Sequence, residues 1–285
     1  MSLKKIIAIG LCLTLLIIAS FLNWKFEVFA IHPFWSDGQH DLKVMTWNVH
    51  CSKGADSVRQ RKIAEQILKI DADFVLLNEY NQDSCSVTDS LLRKSYPFTE
   101  ETLSHKNCGD IFYSKRRMLY TGRLYKPVRG KRIQPIKATI AVGDDSVLIV
   151  GVHLTSNHLD NNAFLREYKN DCSFFTRYKD AQEWRCFQAQ RSKEAVLGFK
   201  HPIIIMGDMN DFNCSAPLDT FAACGLRDSW WEGGNGYGCT FHEGWLRLRI
   251  DHILHSLKIE LQRIKVIETD LSDHNPVVAG FSVNN

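Results

Sequence analysis

The sequence predicts a mixed α/β sandwich, with strands and helices alternating near both ends of the chain and a group of consecutive strands between them. The first observation is a strand–helix–strand unit. Residues 42–49 and 74–77 are apolar and extended, and residues 57–70 between them carry apolar side chains at helical spacing. The second observation is a run of extended stretches at residues 110–114, 119–125, 134–142 and 147–154. This pattern indicates sheets covered by helices.

The later elements follow from the same periodicities. Residues 160–199 are predicted to be helical in two pieces, with a break near residues 171–173. Three isoleucines and a methionine at 203–206 predict a short buried strand that Gly207 ends. A short helix is expected at 217–224, and strands at 249–254 and 276–283.

The N-terminal segment differs from the rest of the chain. Lys4 and Lys5 precede an apolar run over residues 6–22, which is either a cleaved signal peptide or a retained membrane anchor. We favour an anchor over residues 1–35, with a single catalytic-sized domain at residues 36–285 outside the cytoplasm. Signal cleavage would instead give a secreted or periplasmic protein.

The cysteine count agrees with export. Eight of the nine cysteines follow Cys12, and an even number in an exported chain favours disulfides. The pairs Cys85–Cys108 and Cys172–Cys186 are expected, since each closes a loop-like stretch.

The charge is almost balanced. The chain carries a net charge of +3, of which residues 1–35 contribute +2, so general nucleic-acid binding is not indicated by charge. Residues 115–137 nevertheless hold nine basic side chains and no acid. This stretch is either a patch for an anionic polymer or lipid head group, or the solvated face of edge strands.

Polar side chains recur where predicted strands end or begin. The positions are Asn48, Glu79, His153, Asp208 with Asn210, Asp251, and Asp273 with His274. Ligands gather at such sheet edges, and several carboxylates brought together repel one another unless a cation lies among them. Oxygen ligands suit Mg²⁺, Mn²⁺ or Ca²⁺.

These positions carry a family resemblance. The segments TWN (46–48), NE (78–79), HL (153–154), GDMN (207–210), RIDHI (249–253) and SDHNPV (272–277) occur in order. Together they resemble the endonuclease/exonuclease/phosphatase superfamily over residues 40–283. The resemblance implies the deoxyribonuclease I-like fold, a four-layer sandwich of two packed mixed β-sheets flanked by helices. Many relatives have Gln at the position of Asn78, a departure from which we expect little consequence.

The resemblance also implies how a metal ion is held. Glu79 is expected to be the main metal ligand. Asn48 lies nearby, and Asp273 is expected to contribute directly or through water. Mg²⁺ is the expected ion, with Mn²⁺ or Ca²⁺ as alternatives.

Catalytic roles follow from the same resemblance. Asp208 is expected to orient or deprotonate the attacking water or to help hold a second metal, and Asn210 to bind the scissile phosphate. His274 would act on the phosphate as a base or charge stabiliser, and Asp251 would orient its ring. His153 would bind the phosphate or assist the leaving group.

The sequence therefore predicts a divalent-metal-dependent phosphoesterase that hydrolyses a P–O bond with activated water. A nuclease is the first expectation for the substrate class. A phospholipid or small-molecule phosphodiesterase or phosphatase, of the sphingomyelinase or inositol-phosphatase kind, is the enzymatic alternative. A catalytically inactive binding module on the same fold is the non-enzymatic one. The expected partners are the phosphodiester substrate and, through residues 6–22, a membrane; no obligatory protein partner is inferred.

Overall fold

The computed structural model of the 285-residue chain describes residues 3–26, 28–32, 40–50, 56–103, 108–126, 134–157 and 173–283. Within these ranges only the backbone is described for residues 3–11, 24–26, 103, 108 and 173–175.

The described residues form six helices and sixteen strands. The helices are α1 Leu3–Phe26, α2 Ser57–Ile70, α3 Ser86–Leu92, α4 Ser173–Val196, α5 Ala216–Ala222 and α6 Ser229–Gly233. The first eight strands are β1 Ala30–Ile31, β2 Leu42–Asn48, β3 Phe74–Asn81, β4 Phe98–Leu103, β5 Cys108–Ser114, β6 Met118–Arg123, β7 Ile136–Val142 and β8 Asp145–His153. The others are β9 Ile203–Asp208, β10 Leu226–Asp228, β11 Asn235–Gly236, β12 Phe241–Glu243, β13 Leu246–Leu248, β14 Asp251–Ser256, β15 Glu260–Val266 and β16 Val277–Ser282.

Two six-stranded mixed sheets dominate the fold. The first has the order β15-β16-β2-β3-β5-β4, and the second has the order β10-β14-β9-β8-β7-β6. Each contains one parallel pair, β2 with β3 and β8 with β9, and its other neighbours are antiparallel. The carboxyl ends of the two parallel pairs therefore provide two places where polar residues can collect.

The sheets pack face to face, and helices cover their outer faces. Along β2, Val44 faces the other sheet, whereas its neighbour Met45 faces the cluster that includes Ile63 of α2. Along β9, Ile204 faces the first sheet and Ile205 faces the cluster that includes α4 and α5. This alternation follows from the two-residue period of a strand. It confirms the predicted four-layer sandwich.

Asn78 joins the two sheets at one end of the sandwich. Its buried amide nitrogen donates to Asp110 Oδ1 at 2.9 Å and to the Val152 carbonyl at 3.1 Å, and its oxygen accepts from the Asp208 backbone nitrogen at 3.1 Å. The Asn78 amide therefore bonds β3 to β5 and to two strands of the opposite sheet, while the small consequence expected of Asn in place of Gln stays a prediction. Nearby, a Cβ atom on Gly207 would lie 1.9 Å from the Val152 oxygen, so only glycine fits there.

Most predicted elements are confirmed, and α2 has the predicted limits. β3 continues past its predicted end, and its pairing with β5 shifts register between Leu77 and Tyr80, so Glu79 lies at an irregularity inside the strand. The described part of the predicted 160–199 helical region is one helix, and the break predicted near 171–173 falls largely outside the described residues. Sequence periodicity missed α3, β4, β10, β15 and the β12–β13 hairpin, most of which are short.

Side chains of α1 are described for residues 12–23, and the apolar ones among them are exposed. No helix among the described residues is both long enough and apolar enough to cross a membrane. The membrane segment expected at residues 6–22 and the export of residues 36–285 stay predictions.

The cysteines agree only partly with expectation. Cys85 is disulfide-bonded. Its expected partner Cys108 has a side chain outside the described residues, so that pairing stays a prediction. Cys186 is a free thiol on α4, so the predicted Cys172–Cys186 disulfide is wrong. Cys224 and Cys239 are also free thiols.

We predict that Asn78→Ala lowers the free energy of unfolding by about 2–4 kcal/mol, because it leaves Asp110, Val152 and Asp208 with buried polar groups that lack a partner. Urea denaturation of the purified protein measures this, with Asn235→Ala as an exposed control expected to stay within about 0.5 kcal/mol of wild type. Equal losses for the two variants would contradict the role of Asn78 as a link between sheets.

Candidate active site

Polar residues from both sheets meet at one end of the sandwich. Asn48 ends β2 and pairs in register with Asn78, next to Glu79. On the other sheet, His153 ends β8 in register with Asp208 at the end of β9. Asp251 begins the antiparallel strand β14 and is also a register partner of Asp208. The site therefore spans two sheets rather than one sheet edge.

The buried carboxylate of Asp208 lies at the centre of this group. Its Oδ2 accepts a hydrogen bond from Asn48 Nδ2 at 3.0 Å, and lies 3.7 Å from His153 Nε2 and 3.9 Å from His274 Nε2. Its Oδ1 accepts from the Asn210 backbone nitrogen at 2.8 Å. Burial and the nearby Asp251 carboxylate raise the pKa of Asp208 to about 6, although the two histidines and Asn48 oppose that rise.

His274 is held by Asp251. The His274 Nδ1 atom lies 2.8 Å from Asp251 Oδ2. Burial alone would lower the pKa of His274, but the charges of Asp251 and Asp208 raise it to about 10. The backbone is fixed as well, because Trp47 Nε1 donates to the His274 carbonyl at 2.8 Å. His274 is therefore an oriented imidazolium at neutral pH.

A second buried carboxylate, Asp110, lies behind His153. The His153 Nδ1 atom is 3.8 Å from Asp110 Oδ1, and its Nε2 is 4.0 Å from Glu79 Oε1. Burial alone would lower the pKa of His153, but Asp110, Asp208 and Glu79 together raise it. Burial raises the pKa of Asp110. His153 thus lies among three carboxylates whose negative charge it offsets.

Glu79 and Asp273 face each other across His50. The His50 Nδ1 atom lies 3.3 Å from Glu79 Oε2 and 3.4 Å from Asp273 Oδ2. The Glu79 and Asp273 side chains keep 27% and 25% of their surface exposed, so water reaches both. Burial tends to raise the pKa of Glu79, but the close approach of His50, the charge of His153 and the Asn48 amide lower it to about 2.

The backbone is strained at this site. His50, Glu79 and Asn210 have φ angles of 44°, 53° and 51°, in the left-handed region that residues other than glycine rarely adopt. The Asn48 side chain supports the first of these, because its Oδ1 accepts from the His50 backbone nitrogen at 3.1 Å. Strain of this kind collects at functional sites where surrounding contacts maintain it.

A cleft of about 240 Å³ opens over these groups. Its polar floor includes Glu79, Asp208 and Asp273, and its wall includes the half-exposed ring of Phe212. The remaining lining residues are His50, Ser156, Asn157, Asn210, Phe241, Glu243, Leu248, Ile250 and His274. None of the described residues that line the cleft is a lysine or an arginine.

Helix α4 supports one wall of the cleft from behind. The fully buried Arg185 donates to Asp211 Oδ2 at 3.0 Å, to the Thr155 carbonyl at 3.0 Å and to Asn157 Oδ1 at 2.8 Å. Gln188, one turn further along, accepts from the Thr155 backbone nitrogen at 2.9 Å. The loops after β8 and β9 are thus fastened to the same helix.

The donor set fits a hard divalent cation. The Glu79 and Asp273 carboxylates border the cleft and remain open to solvent, as an ion that retains water ligands requires. Asp208, Asp251 and His274 form a second, buried group whose ligand-capable atoms lie within 4.8 Å of one another. In that group the His274 Nδ1 atom is already hydrogen-bonded to Asp251. The Glu79 and Asp273 carboxylates are therefore better suited to bind the cation.

All eight residues predicted for the site lie in or beside it, although their roles stay predictions. Both ends of the Asn48 amide have protein partners, Asp208 and His50. His153 contacts carboxylates and does not line the cleft. His50 was not predicted as a site residue, although it lies two residues after Asn48, the same spacing that separates Asn210 from Asp208.

Asp110 was missed for a different reason. It lies near the beginning of β5, which runs antiparallel to β3, so the start of this strand is at the site.

The basic stretch 115–137 begins at the opposite end of that sheet, where Lys115 pairs with Asp71 and Arg116 with Asp73. Residues 127–133 lie outside the described residues.

A two-sheet sandwich with partly exposed carboxylates beside an Asp–His pair can hold a hard divalent cation next to a substrate phosphate. The chain belongs to the Endonuclease/Exonuclease/phosphatase family, whose model matches residues 45–274. This confirms the resemblance and supports metal-dependent phosphoester hydrolysis as the class of activity. Sequence comparison with curated proteins gives no significant match.

Solved structures agree on the fold. A family protein from Beutenbergia cavernae is 18% identical with a TM-score of 0.64, and the match covers 87% of this chain and 72% of that one. One from Bacteroides thetaiotaomicron is 19% identical with a TM-score of 0.62, covering 85% and 98%. Danio rerio (D. rerio) TDP2 complexed with a single-strand DNA product is 16% identical with a TM-score of 0.64, covering 85% and 98%.

We predict that Arg185→Met lowers the free energy of unfolding by about 3–5 kcal/mol, because the Asp211 carboxylate is left buried without its partner. Adding Asp211→Asn should restore part of the loss. Arg191→Met, which breaks an exposed pair with Glu194 on the same helix, should cost about 1 kcal/mol or less. Chemical denaturation measures these variants, the single variant Asp211→Asn and the wild type, and additive losses in the double variant would contradict the coupling.

We predict that Asp251→Asn lowers the pKa of His274 by about 1–3 pH units in metal-free protein, because the ring loses its carboxylate partner but stays buried. In the wild type the stabilisation from this ring is present below the unfolded pKa of about 6.5 and is lost as pH rises through about 10. Histidine side-chain NMR titration measures the shift.

The matched control for that titration is Asp145→Asn. It removes the partner of His201, an exposed carboxylate–histidine pair 3.0 Å apart at a distance from the site. It should leave the His274 titration unchanged. A His274 pKa that stays near 10 in Asp251→Asn would show that Asp251 does not set it.

Proposed function

We propose that this protein is a divalent-metal-dependent phosphodiesterase that hydrolyses nucleic acid strands. The observation that carries the proposal is the shared cleft, in which the partly exposed Glu79 and Asp273 carboxylates face Asp208, Asn210 and His274. A cation held by Glu79 and Asp273 would supply charge neutralisation and polarise a phosphate oxygen.

The chain's own side chains provide the remaining chemistry. Asp208, whose pKa is raised to about 6, is placed to accept a proton from an attacking water near neutral pH. The imidazolium of His274 stabilises negative charge that develops on the phosphate. Asn210 Nδ2 donates to the Leu154 carbonyl at 3.1 Å, and its second N–H remains available to a phosphate oxygen.

His153 has a supporting task in this arrangement. Its ring reaches Asp208 and Glu79 but not the cleft surface, so we assign it to charge compensation between them. This assignment differs from the phosphate contact that the family resemblance implies for His153.

Two observations support a nucleic acid strand as the substrate. The D. rerio TDP2 structure with the same fold was solved with a single-strand DNA product. In the present chain, the half-exposed Phe212 ring borders the cleft. Aromatic rings next to a phosphate site provide stacking surfaces for bases of any sequence.

One observation favours the alternative, a phospholipid or small-molecule phosphodiester. Proteins that bind nucleic acid normally contact its phosphates with Lys and Arg. No described residue in the cleft lining is of either type. A substrate with a single phosphodiester needs fewer such contacts.

We predict that the purified protein hydrolyses single-stranded DNA or RNA with Mg²⁺ or Mn²⁺, and that a chelator abolishes this activity. Glu79→Gln and His274→Asn should each lower kcat/KM by about 10²–10⁴, because one removes a cation ligand and the other a charge stabiliser. His201→Asn is the matched control and should keep wild-type activity.

The substrate panel includes sphingomyelin vesicles and a small aryl phosphodiester. Turnover of these substrates with nucleic acid untouched would favour the alternative and leave the site assignment intact. Full activity in both variants would overturn the site assignment. No hydrolysis of any substrate by the wild type would instead favour a binding module.

A further inference from the structure

His50 has no role in the function proposed above, yet its ring lies between the two exposed carboxylates. The Nδ1 atom is almost equidistant from Glu79 Oε2 and Asp273 Oδ2, at 3.3 and 3.4 Å. Charge-assisted hydrogen bonds are shorter, at about 2.7–2.9 Å. The three atoms therefore surround a gap instead of forming a tight ion pair.

The other side of the His50 ring makes no hydrogen bond to the described residues. Its Nε2 atom is buried and has no hydrogen-bond partner among the described residues. A buried polar atom without a partner costs free energy and calls for an explanation. The polar neighbours of this ring are therefore the two carboxylates of the cleft.

The backbone of His50 is also held in an unfavourable conformation. Its φ angle of 44° is maintained by the hydrogen bond from its nitrogen to Asn48 Oδ1. Asn48 in turn donates to Asp208. One amide thus fixes the positions of both His50 and the central carboxylate.

We propose that His50 is a nitrogen ligand of the divalent cation, with Glu79 and Asp273 as its oxygen ligands. This inference rests on the proposed function. An imidazole ligand favours first-row transition metals, whereas Mg²⁺ prefers an all-oxygen environment with several waters. The centre therefore selects Mn²⁺ over Mg²⁺.

Two measurements on the full-length protein test this inference. Calorimetric titration with Mn²⁺ and with Mg²⁺ gives the preference, which should be about tenfold or more for Mn²⁺ in the wild type. Pulsed electron paramagnetic resonance of bound Mn²⁺ detects a directly coordinated imidazole nitrogen. Neither readout depends on activity.

Three variants test whether His50 supplies the imidazole nitrogen that coordinates Mn²⁺. His50→Asp replaces it by oxygen, so the imidazole signal should disappear, Mg²⁺ should still bind, and the preference for Mn²⁺ should fall about tenfold. His50→Gln removes the ring without adding charge and serves if the two neighbouring carboxylates prevent His50→Asp from folding. His201→Asn removes an exposed carboxylate-paired histidine and should retain the signal.

The outcomes separate this inference from the proposed function. Bound Mn²⁺ without an imidazole signal, or a signal that persists without His50, would overturn the inference while the phosphodiesterase proposal stands. Failure of the wild type to bind either ion would overturn both. A signal lost only in the His50 variants would establish the ligand.

Discussion

The burial of two carboxylates on adjacent strands is the constraint on which the rest of the site depends. Asp208 and Asp251 are register partners on β9 and β14, and each is almost fully buried. Two such charges repel strongly in a medium of low polarity. His274 lies next to both, His153 lies next to Asp208, and Asn48 donates to Asp208. The charged network is thus a requirement of the fold at this position.

A second buried ion pair, between Arg185 and Asp211, lies behind the site. Arg185 is fully buried on α4, and its guanidinium bonds Asp211 and two positions in the loop after β8. A buried arginine is tolerated only when its donors are satisfied. The outer helix layer therefore fixes the loops of the cleft by directional hydrogen bonds, which hold geometry more closely than apolar packing does.

Sequence patterns predicted the layers of this fold because short apolar runs, such as those of β2 and β9, are buried on both faces and differ from the helical spacing of α2. They also predicted Glu79, Asp208 and His274, since polar residues at strand ends contrast with apolar runs. They missed Asp110 because β5 runs antiparallel to β3, so the beginning of β5 lies at the site. The direction of a strand relative to its neighbours cannot be read from its own sequence. They missed the positive φ angles of His50 and Glu79, which depend on contacts from distant strands.

The acidic lining of the cleft also indicates a divalent cation, independently of family membership. Glu79, Asp208, Asp273 and Glu243 line the cleft, and no described lining residue is a lysine or an arginine. A phosphodiester is itself an anion, so it would be repelled by these four acids. The imidazolium of His274 offsets only part of that charge, because Asp251 already pairs with it. An added divalent cation between Glu79 and Asp273 is therefore the electrostatic condition for such a substrate to enter.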